Sequence, residues 1–416
     1  MDARNRIGLY GSYFLGMAAI GFTLPYLPLY LGEKGLSDRA IGLVSTLAAL
    51  SGIAQFPVGL WSDRIGRRKP FLVAALVAVA AATLLLRGAE GVIWLGFLVV
   101  LFAENGIGRA VVESLSGAEA AALASKGEVG AALGALRFWK PVGIVIVALV
   151  GSWIAEHRGV GAILPLLVAL QVLAIVAALL IHEEKPGASG APRDGDAEPT
   201  PAGGRLPRDP ALWTFVVAMV LYHAANAPGG VYLGLFLKRD LQAPERMLAY
   251  AFAVSMVAWM LVVWPAGKLA DRLGRKPLLI AGWAIMAIRL GLVALIHHPW
   301  LAVANQALDG LGNGMFAVLA AAWVTDRLAD PRRSGEAQVI VGSCLVLGSA
   351  IGPAASSFLV GPLGYRGLFA ALAAVGAVAT AIVAFLVPET LDRPGARPEG
   401  RAEEPMATTS DLSTVP

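Results

Sequence analysis

Apolar residues in this chain run in long blocks, and charged residues fall mainly in the gaps between them. Twelve such blocks predict helices over 7–31, 40–62, 70–88, 91–114, 130–155, 160–182, 211–237, 246–268, 277–296, 300–326, 336–361 and 364–387. About 20 apolar residues is the length a helix needs to cross ~30 Å of hydrocarbon. A membrane β-barrel would instead show alternation over ~10-residue segments. Pro25, Pro28, Pro141 and the Gly352-Pro353 pair lie inside blocks, which membrane helices tolerate because neighbouring helices satisfy the freed backbone groups. The pattern predicts an all-α integral membrane protein with twelve transmembrane helices.

One polar gap occurs twice. Gly59-Leu-Trp-Ser-Asp63-Arg64-Ile-Gly66-Arg67-Arg68-Lys69-Pro70 returns half a chain later as Gly267-Lys-Leu-Ala-Asp271-Arg272-Leu-Gly274-Arg275-Lys276-Pro277. A charged turn repeated at half-length among membrane spans points to a duplicated transporter. Both copies resemble the signature loops of the major facilitator superfamily, between helices 2 and 3 and between helices 8 and 9. The resemblance implies two pseudo-symmetric six-helix bundles. On that division, 1–182 is the N-terminal bundle, 183–209 a flexible cytoplasmic linker, 210–388 the C-terminal bundle and 389–416 a disordered cytoplasmic tail. The linker's Pro, Gly and charge leave too little apolar surface to offset ordering entropy. The tail follows Pro388-Glu389-Thr390, similar to the ending common after helix 12 in sugar-porter-like members.

Composition agrees with the pattern. Hydrophobic residues are 57% of the chain, charged residues 15%, and mean hydropathy is +0.68, against roughly a quarter charged in soluble domains. With the N-terminus in the cytoplasm, inner loops and termini hold 21 of the 33 Lys and Arg. That excess predicts both termini inside and a multi-pass protein of the cytoplasmic (inner) membrane. The first block starts by Ile7 and is too long for a signal peptide's apolar region, so it is read as a retained span. Cys344, the single cysteine, reads as a buried small hydrophobe.

In the repeated turn, Asp63 and Asp271 can pair with Arg67 and Arg275 at i+4 and face a helix N-terminus of the opposite half. The resemblance implies a conformational latch formed by Gly59, Asp63, Arg64, Gly66, Arg67 and Arg68, and by Gly267, Asp271, Arg272, Gly274, Arg275 and Lys276. Gly59 and Gly267 are expected to admit a neighbouring backbone. Arg64, Arg68, Lys69, Arg272 and Lys276 also serve as topology anchors.

Charges inside spans cost ~2.5–3.5 kcal/mol each at mid-bilayer and so mark a site or an ion pair. Helix 4 carries Glu104, Asn105, Arg109 and Glu113, and helix 5 carries Arg137 and Lys140. Glu104 and Lys140 are expected near mid-depth, with Glu113 close to the cytoplasm. Glu104 could pair with Lys140, and Glu113 with Arg109 or Arg137. Counting Glu104, Arg109, Arg137 and Lys140, the N-half holds a surplus of two positive charges, which an anionic guest or an exchangeable proton on Glu104 would answer. The C-half offers His223 and Asn226 on helix 7, Arg289 on helix 9, and Asn305, Gln306, Asp309 and Asn313 on helix 10. Arg289 with Asp309 is the expected structural pair, while His223, Asn226, Asp309 and Asn313 are candidates for substrate or proton binding. Tyr26 and Tyr30 are expected to line the cavity or to form an interfacial belt.

Gln306-x-x-Asp309-Gly310-x-Gly312 resembles the superfamily's helix 4 element, but helix 4 itself has Phe102 where drug antiporters carry Arg. Their helix 5 Gly-Pro element is matched on helix 11, by Gly348-x-x-x-Gly352-Pro353. Pro25-Tyr26-Leu-Pro28-Leu-Tyr30-Leu31 and Arg137-Phe-Trp139 look like the branch of phenylpropionate- and nucleoside-type proton symporters.

The expected function is secondary active transport of a small organic solute, anionic or polar, by alternating access with a proton as coupling ion. The protein is expected as a monomer in the lipid bilayer, with no cofactor, no metal and no nucleic acid. Export of an amphipathic, drug-like compound is the alternative, and a non-transporting receptor is the reading from another class. An enzyme would need a nucleophile–base pair or a metal cluster, and five scattered histidines with one cysteine supply neither.

Overall fold

The computed structural model describes residues 3–103, 106–123, 129–182, 209–328 and 334–390, and the regular structure within them is helical. Helix α1 starts at Ala3–Ala18 and runs through Ile20–Thr23 to Leu27–Glu33, with a bend of 53° before the last segment. Pro25 accounts for the bend, because it removes an amide donor and its ring crowds the preceding turn. Pro28 sits in the first turn of Leu27–Glu33, where its missing N–H costs nothing.

Helix α2 covers Asp38–Ser51 and, after a tight turn at Gly52–Ala54, Gln55–Ile65. Its start is capped by Ser37, whose Oγ accepts from the Ala40 amide at 3.3 Å. Helix α3 is Lys69–Leu86, and α4 comes in two pieces, Val92–Phe102 and Ile107–Leu123. Helices α5 (Val129–Arg158) and α6 (Leu164–Leu180) complete the N-half. The C-half holds α7 (Pro210–Arg239), α8 (Arg246–Leu273), α9 (Arg275–Leu295) and α10 (Pro299–Leu328).

The last helical stretch, Ser334–Leu386, is 53 residues long. At 1.5 Å per residue that is roughly 80 Å, more than twice the hydrocarbon core, so it cannot be one span. Gly364 breaks it with φ +63°, a backbone conformation that costs glycine little, and makes α11 (334–363) and α12 (365–386). Twelve membrane helices result among the described residues.

Side-chain-free positions set how close the helices come. At Gly310 an added Cβ would strike the Ser255 carbonyl of α8, and at Gly352 the Ala224 carbonyl of α7. Backbone-to-backbone approach of this kind is how helices gain contact energy in lipid, where burial from water supplies none.

The halves meet unevenly. The first part of α2 packs on α11 and α12, α5 packs on α8, and the outer end of α1 packs on α7. Hydrogen bonds and ion pairs between the halves lie toward the end opposite the repeated turns among the described residues. At the turn-bearing end, contacts within each half are seen among the described residues. Arg68 approaches Glu119 at 3.9 Å, Lys69 donates to the carbonyls of Leu179 and Ile181 at 2.7 Å each, and Arg275 meets Asp326 at 3.3 Å.

Candidate functional site

Among the described residues, one polar cluster stands inside each half. In the N-half, Tyr13 of α1, Glu113 of α4 and Lys140 of α5 converge. The Tyr13 hydroxyl donates to Glu113 Oε1 at 3.3 Å, and Lys140 Nζ donates to Glu113 Oε2 at 2.6 Å. Glu113 keeps 43% of its side chain exposed and Lys140 24%. A carboxylate and an ammonium placed well inside long apolar helices and still exposed must face water rather than lipid. Beside them Phe14 and Trp139 meet edge to face at 6.0 Å, and Trp139 is also exposed. The site therefore offers one anion and one cation, with an aromatic pair at the neighbouring positions Phe14 and Trp139 of the same two helices.

This placement corrects one expectation. Glu113 is not near the end of its helix, because α4 continues to Leu123 and leaves Glu113 deep in the span. Lys140 pairs with Glu113, while the expected pairings of Glu104 with Lys140 and of Glu113 with Arg137 involve side chains outside the described residues. With Glu113 counted at the same depth, the N-half surplus falls from two positive charges to one. Glu104 and Asn105 lie outside the described residues, as does the side chain of Arg137.

Arg109 takes a different position. It is 1% exposed, and its Nε donates to the Phe102 carbonyl at 2.6 Å and its Nη1 to the Gly16 carbonyl at 3.1 Å. Phe102 ends the first piece of α4, so a charged donor meets the negative end of a helix dipole across the break. Arg109 thereby ties the two pieces of α4 to α1.

The C-half group is built on Arg289 of α9, which is 2% exposed. The helix turns this side chain inward, where Nη1 lies 3.2 Å from Asp309 Oδ1 and 3.2 Å from Gln306 Oε1. Nη2 reaches Asn226 Oδ1 on α7 at 2.9 Å. Asn226 donates to Asn313 Oδ1 at 2.9 Å, Asn313 donates to Asp309 Oδ1 at 3.0 Å, and Ser255 of α8 donates to Asp309 Oδ2 at 2.6 Å. The Tyr222 hydroxyl also reaches Asn313 Oδ1, at 3.4 Å, and Asn305 donates to the Arg289 carbonyl at 3.1 Å. Four helices are thus joined through one ion pair. Low dielectric strengthens each bond and makes the loss of any partner costly.

The sequence reading finds Asn226, Arg289, Asp309 and Asn313 but misses Ser255 and Tyr222. A serine inside a membrane helix carries no distinguishing pattern, and Tyr222 reads as apolar bulk. His223 stands apart from the network, packed edge-on against Phe316 at 4.6 Å and covered by Gly348. Tyr26 and Tyr30 line no cavity and form no belt. They are 0% and 4% exposed, and their hydroxyls bond backbone carbonyls of Ala148 and Leu86.

In the repeated turns, Gly66 (φ +70°) and Gly274 (φ +104°) supply the left-handed turn that ends each preceding helix. Arg64, Arg67 and Arg272 are exposed, Arg68 and Lys276 half-buried, and the side chains of Asp63 and Asp271 lie outside the described residues. A Cβ added to Gly59 would meet nothing within 4 Å, and one added to Gly267 would meet Val318 Cγ1 at 3.5 Å. The close backbone approach expected there is absent because the halves are joined at their other end.

In the second turn a carboxylate from beyond α12 completes the structure. Glu389 Oε1 accepts from the Arg275 amide at 2.9 Å and Oε2 from the Lys276 amide at 3.1 Å, which caps α9. Glu389→Ala is expected to lower stability by about 1–2 kcal/mol, through lost capping and lost charge at the helix N-terminus. Thermal unfolding of the purified protein checks this, and Glu389→Gln should lose less.

A family model described as "MFS_1 like family" matches residues 7–371. The chain belongs to that family. Like this MFS_1-like chain, its relatives span the whole fold. An uncharacterized MFS-type transporter of Mycobacterium tuberculosis (strain ATCC 25618 / H37Rv) is 27% identical over 383 residues, 88% of this chain and 89% of that one. The multi-drug resistance efflux pump PmrA of Streptococcus pneumoniae (strain ATCC BAA-255 / R6) is 26% identical over 378 residues, 88% of this chain and 91% of that one. Among solved structures, the nucleoside transporter NupG superposes with a TM-score of 0.76 at 14% identity, covering 92% of this chain and 99% of that one. The MFS_1-like chain is therefore a membrane-embedded transporter of small molecules and not an enzyme, with the fold read from its repeated turn.

Proposed function

We propose that this transporter moves a small organic solute with an ionisable group and an apolar or aromatic body, coupled to protons, by alternating access. The observation that carries the reading is the exposed Glu113–Lys140 pair beside Trp139. While Glu113 is charged it occupies Lys140. Once Glu113 takes a proton, Lys140 is released to hold an anionic group, so proton and anion bind together. The Asp309–Arg289 network, with Asn226 and Asn313, forms the facing wall and keeps its own charge balanced. His223 remains a packing residue in this reading.

Uptake across the cytoplasmic membrane, with both termini inside and the protein acting as a monomer, is the direction this scheme favours. The repeated turns then face the cytoplasm. Asp63, Arg67, Asp271 and Arg275 act as the latch that closes that side. Residues 183–209 connect the bundles and 389–416 form the tail. Export is the second reading, supported by the efflux pump named among the relatives, and there a cationic solute would displace Lys140 from Glu113.

Proteoliposomes loaded at one pH and diluted into another test both directions against pooled organic acids, nucleosides and cationic amphiphiles. Accumulation of an acid that a protonophore abolishes is the expected result. Accumulation of a cation driven by the opposite gradient would replace uptake with export, and binding without accumulation in either direction would overturn the proposal.

A further inference from the structure

Helices α1 and α4 are both interrupted, and one side chain holds both interruptions. Helix α4 stops at Phe102, where Ala103 leaves the helical region with ψ 162°, and resumes at Ile107. Helix α1 is interrupted at Ala19, between Ala3–Ala18 and Ile20–Thr23. The last turn of a helical segment presents carbonyls that have lost their amide partners and carries partial negative charge. Buried Arg109 donates from Nε to the Phe102 carbonyl at 2.6 Å, at the end of Val92–Phe102. From Nη1 it donates to the carbonyl of Gly16 at 3.1 Å, in the last turn of Ala3–Ala18. One guanidinium therefore serves the carbonyl ends of two segments, and its planar fork suits that double task better than an ammonium.

The residues around Arg109 make room for this arrangement. A Cβ on Gly106 would strike the Val100 carbonyl, and one on Gly108 would strike the Leu101 carbonyl and Val79. Both glycines let the second piece of α4 begin against the carbonyl end of the first, so that Arg109 reaches back across the break. Glu113 stands one turn further along α4, and Tyr13 one turn earlier on α1 donates to it at 3.3 Å. Gly16 with Arg109 and Tyr13 with Glu113 thus follow each other along a single seam.

We propose that Arg109 is a positioning residue for the Glu113–Lys140 pair. By pinning the interrupted ends of α1 and α4 together it fixes the inner piece of α4, Ile107–Leu123, so that Glu113 meets Lys140. This role rests on the proton-coupling reading of that pair. Where the backbone ladder of a helix is broken, side-chain bonds across the break set how its pieces lie. Arg109 acts through Glu113 and touches no solute.

The pair is readable without a solute. A carbodiimide joins a carboxylate to an amine where the two touch, and the side chains of Glu113 and Lys140 both meet water. Lys238 and Glu245, paired within the C-half and also part-exposed, give a reference crosslink in the same molecule. The ratio of the two crosslinked peptides, measured by mass spectrometry, reports the placement of Glu113 apart from overall folding. Arg109→Gln is expected to lower that ratio roughly fivefold, through the loss of charge-assisted hydrogen bonds across the break. Arg109→Lys keeps a cation near the Phe102 carbonyl and should recover part of the ratio. Gly106→Ala leaves Arg109 in place but forces the break apart, and should lower the ratio as well. A parental ratio in Arg109→Gln would overturn the positioning role and leave proton coupling at Glu113 standing. If Arg109→Gln loses the reference crosslink and fails to fold, Gly106→Ala decides in its place by the same criterion. A parent that joins Lys238 to Glu245 but never Glu113 to Lys140 would overturn the pair, and the positioning role with it.

Discussion

Arg289→Met is expected to destabilise the protein by about 3–5 kcal/mol, the cost of leaving one partner of a buried ion pair charged and alone. Arg289 is 2% exposed and contacts Asp309, Gln306 and Asn226, so its removal strands a carboxylate and two amides together. Met fills the volume but returns none of the donors. The double variant Arg289→Met, Asp309→Asn should regain much of the loss, since replacing both charges of a buried pair is often close to neutral. Fluorescence-detected thermal unfolding in detergent separates the three proteins, and transport separates them differently. If Asp309 belongs to the transport machinery, the double variant regains stability and stays inactive. Equal unfolding temperatures for Arg289→Met and the parent would show that the network contributes no stability.

How far the sequence carried this reading depended on what each residue violates. The repeated turn is legible because a run of Asp, Gly and Arg has no place inside apolar blocks, and its recurrence at half-length specifies a duplicated fold. Arg289 and Asp309 are legible for a related reason, since a charge in a membrane helix demands a partner. Glu113 misleads because the apolar block around it fades near residue 114 while the helix goes on to Leu123. The polar and small residues there, Ser116, Glu119 and Ala120 among them, are buried against neighbouring helices, yet in the sequence they read as a loop. Gly59 misleads in another way: its neighbours depend on how the halves are tilted, which no local pattern encodes. Asp38, Arg239 and Tyr365 were invisible as a group because charges at helix ends are expected everywhere, and only the fold brings three such ends together.

These two ends of the molecule constrain the chemistry between them. A pair such as Glu113–Lys140 can drive transport only if it meets one aqueous side at a time. The crossed contacts around Asp38 and Glu156 join the halves at one end. Glu113→Gln is therefore expected to uncouple transport without abolishing it. Gln keeps the shape and one of the two oxygens that accept from Tyr13 and from Lys140, but it cannot exchange a proton between pH 5 and 8, and it no longer neutralises Lys140. Exchange of labelled for unlabelled solute across proteoliposomes should persist and lose its pH dependence, while concentration against a gradient should vanish. Lys140→Met should instead weaken solute binding by roughly 10- to 150-fold, the loss of one charge-assisted hydrogen bond of about 1.5–3 kcal/mol. The contrast matters more than either value, because damage to packing would reduce exchange and accumulation together. Proton-driven accumulation by Glu113→Gln at the parent's level would remove Glu113 from the coupling role and leave that role to another carboxylate.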